Sequence, residues 1–175
     1  PPEYLIAGTI KIDLRNLIKK EMEKRNLKCN CIRCREIGYI KKEISEKDVK
    51  LCRIDYNASN GKEIFLSFED VKNDVLISLL RLRIPDKPFR KEINEKSALI
   101  REIHTYGGEV GIGKKSEDKW QHKGYGKLLM KEAEKIAKEE FNKEKMVVIS
   151  SIGSREYFYK LGYQLDGFYV SRQLK

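Results

Sequence analysis

The spacing of apolar and polar side chains predicts one short helix and a series of strands in the first two thirds of the chain. At residues 13–26 apolar side chains recur every three or four positions, which predicts an amphipathic helix with Asp13 as its N-cap. From Val49 the pattern becomes β-like and predicts four strands, at residues 49–56, 63–69, 74–83 and 97–106. Asn60-Gly61 predicts a hairpin turn between the first two strands.

The last third of the chain predicts two helices and two further strands. The longest helix, at about residues 124–141, carries an apolar stripe made of Leu129, Ala133, Ile136, Ala137 and Phe141. A strand at 146–151, a short helix at 154–161 and a strand at 168–174 follow it. This order predicts an α+β fold, in which a mostly antiparallel sheet is followed by a strand–helix–strand unit.

Composition narrows the class of protein. With 175 residues, 40% apolar and 37% charged, the chain is expected to form a globular protein with one main core. No apolar run approaches the roughly 20 residues of a membrane-spanning helix, so no membrane partner is expected. Because the chain starts at Pro1 without an initiator Met or a signal peptide, we expect part of a longer, cytoplasmic protein.

A strong positive charge is the next informative feature. The formal net charge of +10 favours a polyanionic partner, because Lys and Arg that neutralise phosphates release counterions. Abundant Lys and Glu on a solvated surface, as in thermophile proteins, explain the charge equally well. If RNA is the partner, the candidate contacts are Lys28, Arg33, Arg35, Arg81 and Arg83.

Cysteine spacing indicates a metal site. Cys29, Cys31 and Cys34 fall within six residues, and Cys52 follows on the first predicted sheet strand. Four thiolates can close a tetrahedral zinc site, with disulfides or an iron–sulfur cluster as the competing explanations. The C-x-C-x-x-C spacing differs from the C-x3-C-x2-C run of radical S-adenosylmethionine enzymes, so this part of the protein is expected to hold no radical cluster.

A glycine-containing turn at residues 121–127 precedes the long helix. Gly124 and Gly126 allow the backbone to approach a ligand, and the unpaired amides of a helix start can bind a pyrophosphate. An ordinary glycine at a helix start is the alternative. The order Gln-x-x-Gly-x-Gly, amphipathic helix, strand and Tyr157–Tyr163 resembles the coenzyme-A site of GNAT acetyltransferases over residues 50–175.

This resemblance implies a GNAT fold, with a mixed, mostly antiparallel sheet flanked by helices. The strand ending at Tyr106 would splay from the strand 146–151, and the pantetheine arm of acetyl-CoA would insert between them. The implied cofactor-binding residues are Glu102, Ile103, His104, Thr105, Gln121, His122, Lys123, Gly124, Tyr125, Gly126, Lys127, Tyr157 and Phe158.

Acyl transfer needs hydrogen-bond donors where the oxyanion develops and an acid that protonates the departing thiolate. A backbone amide near His104 is the candidate donor, and Tyr157 is the candidate acid. Packing of Tyr157 and Tyr159 as ordinary aromatic residues of a short helix is the alternative. The protonation role of His104 itself is left open.

More distinctive motifs resemble the catalytic subunit of Elongator. They include Cys-Asn-Cys-Ile-Arg-Cys at 29–34, Ile-Arg-Glu-Ile-His-Thr-Tyr-Gly at 100–107 and the segments 121–126 and 155–162. That family joins a radical S-adenosylmethionine barrel, with its 4Fe–4S cluster, to an acetyltransferase domain. Together they carboxymethylate C5 of the wobble uridine (U34) of transfer RNA.

The Elongator resemblance predicts two parts of the chain. Residues 1–38 would be the end of the absent barrel, a helix and a zinc loop, and residues 39–175 the acetyl-CoA-binding domain. Alone, this chain would bind or hydrolyse acetyl-CoA without completing the modification. Phe158 departs from the family, which commonly has a second adjacent tyrosine there, and the third cysteine varies among relatives, so zinc would be a feature of one branch.

Two other functions compete with this hypothesis. A protein lysine acetyltransferase would use the same cofactor cleft, with Glu102 as the general base facing an exposed amine. A non-catalytic RNA-binding module would use only the basic residues, and it predicts salt-sensitive RNA binding with no affinity for acetyl-CoA.

Overall fold

The computed structural model describes residues 13–40, 44–107 and 124–174. The chain divides between Arg35 and Glu36 into two compact units, each described here by itself. Within the described ranges no helix has the length and apolar character needed to cross a membrane.

From residue 13 onwards the first unit contains two helices, α1 (Leu14–Lys24) and α2 (Ile32–Arg35). The predicted helix is therefore present, and the segment predicted as a loop contains the short α2. Asp13 occupies the N-cap position but adopts φ 61°, and its carboxylate accepts from the Asn16 side-chain amide rather than from the backbone. No residue of α1 is buried, because its apolar stripe stays on the surface of the unit.

In its described residues the second unit has one seven-stranded sheet and two helices. The strands are β1 (Val49–Ala58), β2 (Gly61–Asp70), β3 (Val75–Ile84), β4 (Ser97–Thr105), β5 (Lys145–Val148), β6 (Gln164–Asp166) and β7 (Tyr169–Gln173). The helices are α3 (Tyr125–Glu139) and α4 (Arg155–Lys160), with 3₁₀ turns at Glu46–Asp48 and Ile152–Ser154. The spatial order is β1-β2-β3-β4-β5-β7-β6, and of these seven strands only β4 and β5 pair in parallel.

Two strand predictions were inaccurate for physical reasons. The strand predicted at 146–151 ends at Val148, because the chain turns into the 3₁₀ segment that leads to α4. The three-residue strand β6 was not predicted, since it is too short to show an alternation.

The hairpin between β1 and β2 turns one residue earlier than predicted. Ser59 and Asn60 both have positive φ, 46° and 57°, as the central residues of a type I′ turn require, and Ala58 pairs with Gly61. Gly61 is needed for another reason: a Cβ there would lie 2.7 Å from the carbonyl oxygen of Ile84.

The core lies between one face of the sheet and α3. Leu66, Leu80 and Ile100 on the sheet are fully buried against an α3 stripe made of Leu129, Met130, Ala133, Ile136 and Ala137. The stripe predicted from the sequence is thereby confirmed, with Met130 added and Phe141 packed at its edge. This packing fixes the N-terminus of α3 beside the ends of β4 and β5, where the candidate site lies.

Candidate active site

A divergence between the two parallel strands creates the main cleft. β4 and β5 pair from Ser97–Lys145 to Ile100–Val148, and the Ile149 amide donates to the Ile100 carbonyl at 3.0 Å. Beyond that point β4 continues along β3 to Thr105, whereas the chain after Ile149 turns away. The predicted splaying of the two strands is therefore present in the structure.

A β-bulge in β4 accounts for the divergence. Arg81 pairs with Glu102 and Leu82 pairs with Ile100, so Arg101 is an extra residue without a partner across the ladder. Bulges bend a strand and increase its local twist. Here the bend begins at the last residue that β4 shares with β5.

The cleft between the splayed strands has a volume of about 560 Å³. Its lining comprises Arg101, Glu102, Ile103, His104, Thr105, Gly124, Gly126, Lys127, Ile149, Ser151, Ser154, Tyr157 and Phe158. The structure thus brings together most of the residues predicted from the sequence. Gln121, His122 and Lys123 lie outside the described residues, and Tyr125, although it begins α3, does not line the cleft.

Four lining residues escaped the sequence analysis: Arg101, Ile149, Ser151 and Ser154. Arg101 enters the cleft because of the bulge, which leaves no mark on an alternating strand pattern. Ser151 and Ser154 stand around the 3₁₀ turn, where the Ser154 hydroxyl donates to the Ser151 carbonyl at 3.0 Å. Polar residues directly after the end of a strand were the available signal.

The N-terminus of α3 opens onto this cleft. Gly124 has φ 78° at the N-cap, a conformation that favours glycine, and the Leu128 amide donates to the Gly124 carbonyl at 3.0 Å. The first amides of a helix have no acceptor within the helix, and its dipole favours an anion there. A Cβ at Gly126 would lie 3.1 Å from the Tyr157 hydroxyl and 3.4 Å from Thr105 Oγ1. The small residue therefore keeps the floor of the cleft open.

Tyr157 is the tyrosine of α4 that faces the cleft. Tyr157 is 40% exposed, and the partial burial of its side chain raises the pKa of its hydroxyl above the usual value. The phenol is therefore protonated at neutral pH and can donate a proton or a hydrogen bond. Tyr159 does not line the cleft. The geometry thus selects Tyr157 as the better candidate acid.

Phe158 packs against the ring of Tyr157. It is 3% exposed, and its ring contacts those of Tyr157 and Tyr163 edge to face at centroid distances of 5.2 and 6.0 Å. The Tyr163 hydroxyl donates to Glu134 at 2.7 Å, and burial raises the pKa of Tyr163. At position 158 a ring without a hydroxyl suits this apolar surrounding.

Glu102 and His104 project from the same face of β4. Glu102 Oε2 lies 2.9 Å from Arg81 Nε, and its Oε1 lies 3.3 Å from His104 Nε2. His104 also stacks on Tyr106 with a centroid distance of 5.9 Å. Each carboxylate oxygen of Glu102 therefore lies close to a nitrogen of a basic side chain, and these contacts help to hold the imidazole in place.

Arg81 and Arg83, two of the arginines predicted to contact RNA, have acidic partners on the sheet, as does the neighbouring Arg101. Arg83 donates to Glu63 at 2.7 Å and to the carbonyl oxygens of Ala58 and Ser59, so it braces the β1–β2 hairpin. Arg101 donates to the same buried Glu63 at 2.8 Å. Lys28, Arg33 and Arg35 belong to the first unit, in the segment that carries the cysteines.

Three thiols of the first unit form a candidate metal centre. The Sγ atoms of Cys29, Cys31 and Cys34 lie within 4.8 Å of one another. Thiolates bound to one tetrahedral zinc at about 2.3 Å are separated by about 3.8 Å, so small side-chain rotations suffice to close this set on an ion. Cys52 lies on β1 of the second unit, where its thiol faces the Lys50 carbonyl, and its role as a fourth ligand stays a prediction.

Arg15 of α1 lies beside two of these thiols. Its Nη2 lies 3.4 Å from the Sγ atoms of both Cys31 and Cys34. The hydrogen bond from Arg15 is the main cause that lowers the pKa of Cys31 to about 6. The pKa of Cys34 is raised, chiefly by its hydrogen bond with Cys31. A guanidinium beside these two sulfur atoms also offsets the negative charge that a cysteine-rich metal site accumulates.

The sequence of the chain is similar to that of known acetyltransferases. Residues 35–163 match the acetyltransferase (GNAT) family model. The "tRNA uridine(34) acetyltransferase" of Methanocaldococcus infernus is 54% identical over 99% of this chain and 34% of that protein. "Elongator complex protein 3" of Dictyostelium discoideum is 46% identical over 99% of this chain and 32% of that protein.

A solved structure also matches this chain over nearly its whole length. Elp3 of Methanocaldococcus infernus with its N-terminal residues 1–46 deleted superposes with a TM-score of 0.84 at 54% identity, over 99% of this chain and 42% of that chain. The chain spans about a third of the length of the curated relatives it matches.

Proposed function

This chain belongs to the GNAT family of acetyltransferases, and from that premise we propose that its cleft binds acetyl-CoA and opens the thioester for modification of uridine 34 of transfer RNA. The GNAT fold expected from the sequence is confirmed, as is its likeness to archaeal and eukaryotic relatives of the Elongator type. The observation that carries the proposal is the cleft itself: splayed parallel strands, a helix N-terminus and a protonated tyrosine meet in one place.

The two walls of the cleft offer different groups to a ligand. The strand edge of Glu102–Thr105 faces away from β3 and offers backbone groups to an extended ligand, while the start of α3 offers amides to phosphate oxygens. Acetyl-CoA, when bound, supplies an acetyl group activated as a thioester. Ile149 adds an apolar contact at the mouth, with 52% of its surface exposed.

Proton movement is assigned to Tyr157. The Tyr157 hydroxyl is protonated at neutral pH, so it can donate a hydrogen bond, or a proton as general acid, to a departing thiolate. Backbone amides near His104 are placed to stabilise an oxyanion, and the Arg81–Glu102–His104 contacts hold that part of β4.

A lysine acetyltransferase is not favoured. That reaction requires a free base to take a proton from the attacking ammonium, and Glu102 has its two oxygens against Arg81 and His104. Names of the matched relatives point instead to transfer RNA.

Zinc and the remainder of the protein complete the proposal. We infer that Cys29, Cys31 and Cys34 hold a structural zinc, with Cys52 as the proposed fourth ligand and with Lys28, Arg33 and Arg35 as proposed RNA contacts nearby in the sequence. The longer relatives leave room for a radical S-adenosylmethionine domain with a 4Fe–4S cluster, which would finish the uridine chemistry in a cytoplasmic enzyme.

One experiment separates these functions. The chain is incubated with acetyl-CoA and either transfer RNA or a lysine peptide, and free thiol is measured together with peptide acetylation. RNA-dependent release of thiol without acetylated peptide is expected. Rapid peptide acetylation, or no binding of acetyl-CoA, would refute the proposal.

A further inference from the structure

We propose that a pocket beneath the β3–β4 connection, separate from the thioester cleft, binds an unpaired nucleotide of RNA. This loop pocket has a volume of about 320 Å³ and is lined by Ser59, Asn60, Arg83, Pro85, Asp86, Lys87, Pro88, Phe89, Arg90, Ile93, Leu99 and Tyr169. The proposal rests on the proposed function only in taking RNA as the polyanion. It does not depend on acetyl-CoA binding.

The floor of the loop pocket is apolar and firmly packed. Ile93 and Leu99, each 9% exposed, form a small core with the buried Val147, and Tyr169 packs against it. Pockets for small molecules start at about 300 Å³, so this cavity suits one nucleotide rather than a dinucleotide. A rigid apolar floor of this kind supports a flat ring.

The rim carries an unusually exposed aromatic ring. Phe89 is 89% exposed, more than any other large apolar side chain in the part of the chain that the structure describes. Pro85 and Pro88 precede it and restrict the φ angles of the connection, which lowers the entropy lost when the loop is ordered. The Arg90 guanidinium lies 5.3 Å from the centroid of the Phe89 ring. The ring is almost fully exposed, and a base can therefore stack on it.

Charge and polar groups in the lining match a nucleotide. Lys87 and Arg90 outnumber the single carboxylate of the lining, that of Asp86, whereas Arg83 is already paired with Glu63, so the rim is cationic. Asn60 adds an amide, which can hydrogen-bond the edge of a base. Stacking on an aromatic ring combined with cations for the phosphate is how proteins hold single-stranded RNA.

Register connects the loop pocket to the thioester cleft. Arg81 and Arg83 project from the same face of β3, and their partners across the ladder are Glu102 and Leu99. Because of the bulge, Leu99 in the loop pocket and Glu102 in the cleft therefore lie on one face of β4. Leu99 and His104 pair with Arg83 and Leu79, which are four residues apart on β3, roughly 13 Å along a strand. An RNA strand held at the loop pocket can reach the mouth of the cleft along this face.

The test measures binding of a fluorescent RNA hairpin with an unpaired loop to the 175-residue chain, beside the same sequence in a full duplex. Phe89→Ala should weaken hairpin binding by about 5- to 100-fold, the usual effect of losing one stacked base, and Phe89→Trp should restore it. Phe168→Ala is the matched control, because Phe168 is 79% exposed but does not line the pocket. Duplex binding should change less than twofold.

Unchanged hairpin affinity in Phe89→Ala, equal losses for hairpin and duplex, or an equal loss in Phe168→Ala would overturn the proposal. A free nucleoside monophosphate that competes at the affinity of the hairpin would overturn it too, by assigning the pocket to small nucleotides. Acetyl-CoA binding is measured in parallel. If the wild-type chain does not bind acetyl-CoA but its RNA binding depends on Phe89, the cleft assignment is refuted and the loop-pocket proposal is supported.

Discussion

Gly126 offers two tests of the cleft, one of stability with an alanine and one of ligand binding with a tryptophan. It is the second residue of α3, and its absent Cβ would point at the Tyr157 hydroxyl 3.1 Å away and at Thr105 Oγ1 3.4 Å away. Gly126→Ala should raise the free energy of unfolding by about 0.5–1 kcal/mol, because alanine restricts the unfolded chain and favours a helix. The single close contact is with the flexible end of Tyr157, which can move a few tenths of an ångström.

Gly126→Trp tests ligand binding, because its side chain would occupy part of the cleft. An indole adds roughly 150–250 Å² of surface between Thr105 and Tyr157, in a cleft of about 560 Å³. We expect affinity for acetyl-CoA to fall at least 100-fold, equivalent to about 2.8 kcal/mol. Titration calorimetry gives the affinity, and thermal unfolding gives the stability of each variant.

Gly153→Ala is the control for both measurements. Gly153 lies in the 3₁₀ turn on the opposite wall, and a Cβ there meets no atom within 4 Å. It should leave affinity unchanged. If Gly126→Trp binds acetyl-CoA as tightly as the wild type, the cleft is not the cofactor site; if Gly126→Ala lowers stability by more than 1 kcal/mol, the packing argument is wrong.

Three further outcomes follow from named contacts. Tyr157→Phe should slow RNA-dependent thioester opening by about 10²- to 10⁴-fold with unchanged acetyl-CoA affinity, and equal rates in the variant and the wild type would exclude Tyr157 as the acid. Because burial raises the pKa of Tyr157, the wild-type rate should show no alkaline fall from this group below pH 10. Arg53 pairs with Asp55 and Glu140 and holds both carboxyl pKa values below normal, so Arg53→Met should cost about 1 kcal/mol at pH 7, discounted for partial exposure. That difference should be present above pH 5 and disappear as the pH falls through the lowered pKa values, in urea unfolding at each pH; a pH-independent difference would contradict it. Chelation should expose three cysteines to alkylation if zinc is held by Cys29, Cys31 and Cys34 alone, and four if Cys52 is also a ligand, as counted by mass spectrometry; no change on chelation would exclude the metal.

Local pattern was enough for most elements of the fold. Helix α3 was predicted to within two residues because its buried stripe and its glycines are adjacent in the sequence. The strand alternation likewise located β1 to β4, each with at most two residues of error at either end. The hairpin turn was misplaced by one residue, since Ser59 and Asn60 adopt positive φ while Gly61 serves the close approach of Ile84.

The sequence by itself determined the fold class, the order of the elements, the glycine turn before α3 and the clustering of three thiols, because each depends on residues close together in the chain. Tertiary structure alone decided that Arg101 forms a bulge, that Tyr157 rather than Tyr159 faces the cleft, and that Arg83 is engaged by Glu63. The same holds for the pocket beside Phe89, whose walls come from four separated segments. These features depend on strand register and packing between distant residues, which no local periodicity records.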